Sequence, residues 1–253
     1  MPHDPDQIDI LHHLIDGPAE LFGLALPMLA RFGVTKHVVM MWVASLILII
    51  VLGLAARQKG VVPRGLRNFF EPLILFVRNA VLVPNMGEAG LPYLPFLLTL
   101  FCFILTCNLL GLVPNGATAT GNISVTATLA IISAVVTHFA GVRQNGGLHY
   151  LKAIVPPVPL WLWPLMLVVE IIGLLAKPFA LAVRLWANMN AGHIVLLVIM
   201  GFIFLFKNWG VVGISLFGGV AISLLEMFVA LVQAYVFTYL TAVFMGLALH
   251  PEH

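Results

Sequence analysis

Residues 170–193 read EIIGLLAKPFALAVRLWANMNAGH, which sets Glu170, Lys177, Arg184 and His193 in an otherwise apolar run. If that run lies in lipid, a charged group costs at least ~2.5 kcal/mol at the membrane centre, and ionisable residues found there are candidates for function by default. On a helix, Lys177 and Arg184, seven apart, share a face. Glu170, fourteen before Arg184, falls within about 40° of it, and Asn188, four after, lies on the same side. His193, nine after Arg184, lies close to the opposite face. One helix therefore presents ionisable groups to two different neighbours. A later apolar run supplies Glu226 and Gln233, again seven apart and on one face. Packed as an antiparallel hairpin, the two runs let Glu226 and Gln233 face residues of the first. Glu226 beside His193 makes a titratable pair suited to proton relay, because histidine changes charge near neutral pH. Arg184 cannot relay a proton, since a guanidinium does not deprotonate in proteins. A permanent cation at membrane depth needs a carboxylate, a lipid head group or water. Its expected task is electrostatic: to pair with a deprotonated carboxylate and block proton leakage past itself.

The elements that must position these residues follow from composition. Of 253 residues, 61% are hydrophobic and 9% charged, with a mean hydropathy of +1.08. Soluble domains carry about 25% charged residues, and so few charges cannot cover a soluble surface of this size. Lipid removes the difficulty, because apolar side chains then face outward. A spanning helix needs about 20 apolar residues. Segments 38–56, 91–113 and 123–142 meet that need, the last weakened by its Ser and Thr content. Segment 63–83 mixes Arg64, Arg67, Glu71 and Arg78 with Leu, Ile, Phe and Val, the pattern of an amphipathic helix lying in the interface. The expected fold is all-α and polytopic, one integral membrane domain: a polar N-terminal segment 1–35, a first span 38–56, the interfacial helix 63–83, a hairpin 91–142 and a long helical hairpin 158–249.

That last hairpin carries a geometric message. Its apolar stretches, 158–206 and 211–249, would as continuous helix be roughly 70 Å and 60 Å long, against a hydrocarbon core of about 30 Å. Each must be broken or steeply tilted. Little between Pro178 and Asn208 forces a break, so steep tilt is expected, with Pro164 or Pro178 as candidate bends. The basic cluster Arg57, Lys59, Arg64, Arg67 and Arg78 belongs on the cytoplasmic or matrix side. Counting spans puts the acidic N-terminus and the 115–122 loop outside. The Arg143/Lys152 link and the C-terminus fall inside.

Several classes are excluded or disfavoured. A net charge of +2 spread over several clusters makes no case for nucleic-acid binding. Cys102 and Cys107 lie in an apolar run without metal or redox spacing and read as inert buried thiols. The acidic first twenty residues show no cleavable signal peptide. His12 and His13 read as a solvated segment, not a metal site, and Asn122-Ile-Ser as a plain loop despite its sequon. No metal or cofactor is expected.

At the residues first described, the chain resembles subunit a of the F-type ATP synthase. The resemblance rests on KPFALAVRLWANMNAGH (177–193) and LLEMFVALVQAYVFTYLTAVFMG (224–246), with NLLGLVPNG (108–116) and NISVTATLAI (122–131) adding to it, and covers most of the chain from about residue 35. It implies a stationary, non-catalytic subunit beside a rotating c-ring, held with peripheral-stalk b subunits in the bilayer, most naturally of a bacterial inner membrane. Such a subunit offers two offset half-channels for protons and carries no site for ATP synthesis or hydrolysis. Arg184 matches the arginine that faces the ring carboxylate, with Asn188 and Gln233 as polar residues beside it and Lys177 as further support. His193 and Glu226 match the pair lining the outer half-channel, in the order of mitochondrial and alphaproteobacterial relatives; some bacterial relatives hold the acid first and the histidine second. Glu170 matches an acidic residue of the inner half-channel. Gly111 stands where some bacterial relatives have an aspartate, so an inlet carboxylate is absent there and Asn108 could supply polarity instead. The alternatives are a self-contained secondary transporter, for which no internal repeat is found, and an intramembrane enzyme, for which no nucleophile–base or metal set is found.

Overall fold

The computed structural model describes residues 20–21, 24–25, 35–57, 65–113, 118–147, 150, 159, 161–206 and 209–250. Most of the polar N-terminal segment, and with it His12 and His13, lies outside these residues. So do Lys59, Arg64 and Lys152. The part of 1–35 that is described adds a detail to the all-α expectation: Glu20–Leu21 and Leu24–Ala25 pair as two-residue antiparallel strands, β1 and β2.

The rest of the described chain is helical. Helix α1 (Lys36–Arg57) takes the unbroken apolar run 38–56 and closes on Arg57, a cation suited to a helix C-terminus. Helix α2 (Leu66–Phe76) passes through a wide π turn (Val77–Leu82) into the short α3 (Val83–Met86). A 3-10 turn (Glu88–Tyr93) then leads into α4 (Leu94–Gly111), where Pro95 sits in the first turn, a position that needs no amide hydrogen. After the 3-10 turn Ala119–Gly121 comes α5 (Ile123–Asn145). Its start is set by Asn122, whose side chain accepts the Ser124 amide at 2.8 Å. It stops at Gly146, where φ is +79°. Helices α6 (Trp163–Phe206) and α7 (Trp209–Leu249) follow.

Both long stretches are therefore unbroken. Pro178 lies inside α6 without ending it, and Pro164 falls in the first turn, where a proline is tolerated. The two helices of 44 and 41 residues are about 65 and 60 Å long. They are apolar apart from a few polar and ionisable residues, and only a steep tilt keeps such lengths within a core of about 30 Å. Among the described residues, six helices are long and apolar enough to cross a membrane. Five correspond to the expected spans. The sixth, Arg67–Met86, is the segment expected in the interface and the least apolar of the six.

Helices α6 and α7 pack antiparallel. Lys177 meets Phe244, Asn188 meets Gln233, His193 meets Glu226, and Ile199 and Met200 approach Gly218 and Gly219, so contact runs up one helix as it runs down the other. Helix α4 crosses α7 through Asn108, which donates to the Ala230 carbonyl at 3.2 Å. Helix α5 is tied to the end of α7 by Asn145, whose amide reaches the carbonyls of Ala248 and Leu249 at 3.1 and 3.3 Å. The core gathers Val77, Leu82, Leu97, Ile104, Leu185 and Phe237, all fully buried. A smaller cluster of Met40, Ala44, Cys107 and Ala119 holds α1 against α4. Cys102 and Cys107 are both buried and free. One end of the bundle collects His37 and residues 118–121; the other collects Asn85, Asn145 and Ala248. That grouping agrees with the sidedness obtained by counting spans.

Gly246 makes the last of these contacts possible. A Cβ there would collide with the Asn85 carbonyl oxygen of the α3 turn. Gly246→Ala should thus push α3 off α7 and cost about 1–3 kcal/mol, as overpacking does. The check is thermal unfolding of the purified chain in detergent. The midpoint should fall for Gly246→Ala but not for Gly53→Ala, whose added Cβ meets nothing within 4 Å.

Candidate functional site

The polar side chains of the two long helices separate into a group at the 118–121 end of the bundle, a central group and a group toward the other end. The first forms where α6 passes the 118–121 turn. His193 Nε2 lies 2.5 Å from Thr118 Oγ1, and its Nδ1 lies 3.8 Å from Glu226 Oε1 on α7. That second distance exceeds a hydrogen bond but is within reach of an ion pair. Glu226 is buried, and its Oε1 has no hydrogen-bond partner among the described residues. Room for it comes from Gly192, where a Cβ would stand 2.6 Å from that same oxygen. Behind Thr118, the Nδ1 of His37 at the start of α1 binds the Thr118 carbonyl oxygen at 2.9 Å. Asn190 donates to the Gly121 carbonyl at 3.0 Å. The 118–121 turn and α7 thus both meet α6 at His193, and α1 holds the turn in place.

Arg184 and Asn188 form the central group with Gln233. Leu181, Leu185 and Met189 are buried on one side of α6, which turns Arg184 to the exposed side. Among the described residues no side chain pairs with it. Asn188, one turn on, donates to Gln233 Oε1 at 2.8 Å. Gln233 is itself buried, and its Nε2 has no hydrogen-bond partner among the described residues. Buried donors of this kind are rare and call for an explanation.

Toward the other end lie Glu170 and Lys177, both partly exposed. Lys177 Nζ sits 5.7 Å from the ring centroid of Phe244, a cation–π distance. Glu170 is fourteen residues from Arg184, about 21 Å along the helix, and does not touch it. Near Lys177 on this side, His138 of α5 binds the Tyr150 hydroxyl through Nδ1 at 2.8 Å. Burial pushes the Tyr150 phenol above its ordinary value.

The structure thus brings His193 to Glu226 and Asn188 to Gln233, as the hairpin reading expects. It leaves Glu170 and Arg184 apart along one helix. Asn108 is buried with both ends of its amide engaged, by Ala230 and by the Thr120 hydroxyl at 2.6 Å. Sequence reasoning missed Thr118, His37 and His138. His138 carried a usable signal, an ionisable residue inside an apolar run. Thr118 and His37 carried none, because one lies in a polar loop and the other just before the first span.

Residues 38–246 match the protein family described as ATP synthase A chain. The ATP synthase subunit a of Chloroherpeton thalassium is 45% identical over 265 aligned positions, covering 99% of this chain and 80% of that protein. The ATP synthase subunit a of Myxococcus xanthus is 50% identical over 224, covering 87% and 74%. A subunit a of Chlorobaculum tepidum is 44% identical over 253, covering 94% and 72%. The matched span runs from the first turn of α1 into the last turn of α7 and includes the polar side chains described on both long helices, and the chain belongs to the ATP synthase A chain family, subunit a of the F-type ATP synthase.

Proposed function

We propose that this chain is the stationary, proton-translocating subunit that stands beside a ring of c subunits, with peripheral-stalk b subunits holding it in place, in a bacterial inner membrane. The observation that carries the reading is the placement of Arg184. It is a permanent cation, exposed on the apolar flank of α6 and without a partner among the described residues. A guanidinium at membrane depth requires a counter-charge, and a carboxylate on a neighbouring ring would supply it. On the same side of the helix Val195, Val198 and Phe202, eleven, fourteen and eighteen residues after Arg184, are exposed as well, and this flank is apolar enough to lie against such a ring. Helices α2 and α3 then lie in the inner interface. Exposed Arg67, Glu71 and Arg78 on that segment support this placement.

In this mechanism a proton from outside reaches Glu226 by way of His193 and passes to the ring carboxylate. After the ring turns, the proton leaves on the inner side past Glu170, with Lys177 along the same face. Asn188 and Gln233 keep the surface beside Arg184 polar, and Asn108 braces α4 against α7. Arg184 never carries the proton. It pairs with the emptied ring carboxylate and bars the direct path between the two half-channels. Each proton crossing 100 mV supplies ~2.3 kcal/mol, so several are needed for each ATP. Steeply tilted helices suit the task, since they can follow a curved ring.

Arg184→Ala in the whole complex should abolish ATP-driven acidification of membrane vesicles and ATP synthesis, while ATP hydrolysis by the soluble part persists. Intact pumping in that variant would overturn the role. So would proton transport by the purified chain without a ring, the behaviour of a self-contained transporter. Glu226→Gln should slow proton entry tenfold or more, on the order of what a lost acid–base group costs. Stopped-flow acidification of vesicles reads it, and wild-type rates would remove Glu226 from the path.

A further inference from the structure

The space beside Gly111 is filled by a hydroxyl. A Cβ built at Gly111 would collide with Thr118 Oγ1 and come within 2.6 Å of Thr118 Cβ. Position 111, at the last residue of α4, therefore has no room for any side chain while Thr118 sits where it does. Thr118 is buried, with 4% of its surface exposed. Its hydroxyl lies 2.5 Å from His193 Nε2. Its carbonyl is held by His37 at 2.9 Å, and the next turn is anchored by Asn190 on α6 and by Thr120 on Asn108. The threonine is thus fixed from α1, α4 and α6 at once and turned onto one nitrogen of the His193 ring. The other nitrogen, Nδ1, is left toward Glu226.

We propose that Thr118 is a positioning residue for proton entry: its hydroxyl, seated in the room that a side chain at position 111 would need, keeps the His193 ring turned with Nδ1 toward Glu226 through both charge states of the ring. The proposal rests on the relay reading of His193 and Glu226. Its chemistry is that of a group that both donates and accepts. When the ring is neutral with its hydrogen on Nδ1, the hydroxyl donates to Nε2. When the ring is a cation, both nitrogens are donors and the hydroxyl oxygen accepts from Nε2 instead. The ring keeps its orientation without flipping, and no proton passes through Thr118. A carboxylate in the same place could only accept once ionised, and an alkyl group could do neither. The titratable groups around the ring are Glu226 from α7 and, through the Thr118 carbonyl, His37 from α1.

The test uses the whole complex in membrane vesicles, with passive proton conductance through the membrane part driven by an imposed potential. Thr118→Val keeps the shape and removes the hydroxyl, and Thr118→Ala only removes atoms. Both should slow conductance at least about fivefold, the worth of one positioned hydrogen bond. Thr118→Ser restores a group that donates and accepts, and should return conductance to within about twofold of wild type. A merely structural role would not be rescued by serine while alanine and valine fail alike. Wild-type conductance in both Thr118→Val and Thr118→Ala overturns the proposal, and so does a serine variant as slow as alanine. Glu226→Gln, measured alongside, separates the two readings. If it is slow while the Thr118 variants are normal, only this proposal fails. If it conducts like wild type, the relay fails and this proposal falls with it.

Discussion

Glu226 and Gln233, the polar side chains that α7 buries against α6, can meet His193 and Asn188 at only one register of the α6–α7 hairpin, and lipid offers no replacement. The contacts from Lys177–Phe244 at one end to Met200–Gly219 at the other all satisfy a single antiparallel alignment. A slip of one helical turn would strand Asn188 and Gln233 and would part His193 from Glu226. Small residues hold that register. Gly192 leaves the volume that the Glu226 carboxyl occupies, and Gly219 receives the end of Met200. Without them the helices could not approach closely enough for the polar pairs to meet.

The remaining helices brace this hairpin and differ in how they do it. Helix α4 meets α7 through the Asn108 amide and a broad apolar face. Helix α5 meets α7 at its end, where Asn145 satisfies two terminal carbonyls that the helix itself leaves unpaired. Helix α1 contributes a side chain to the polar region as well as packing, since His37 clamps the turn that touches His193. What the bundle does not do is cover the Arg184 flank of α6. Most of the apolar side chains there remain exposed, which sets this flank apart from the buried Leu181 and Leu185 behind it and leaves it for lipid or another subunit.

Much of the architecture was legible in the chain. Apolar runs of about twenty residues identify spans by length alone, and helices α1, α4 and α5 begin and end within a few residues of the runs that predicted them. The excess length of the last two runs announced long unbroken helices. The Arg67–Met86 segment was less legible. Its charges and its apolar content balance closely, so the same residues suit an interfacial helix and reach the threshold of a spanning one. For the site, seven-residue spacing grouped Lys177 with Arg184 and Glu226 with Gln233 correctly, because helical period is a local property.

Partners across the fold were a different matter. Spacing placed His193 and Glu226 on faces that could meet, but only the packed hairpin set them 3.8 Å apart. Nothing in a polar loop between two spans marks Thr118 as the neighbour of a histidine 75 residues later, and nothing before the first span marks His37 as its anchor. By itself the amino-acid sequence determined that this protein lives in lipid, where its longest apolar helices run and which ionisable residues they carry, because burial cost and helical period are read residue by residue. The tertiary structure decided which of those residues meet and which, like Arg184, are left facing outward, because that depends on how closely glycines let distant helices approach.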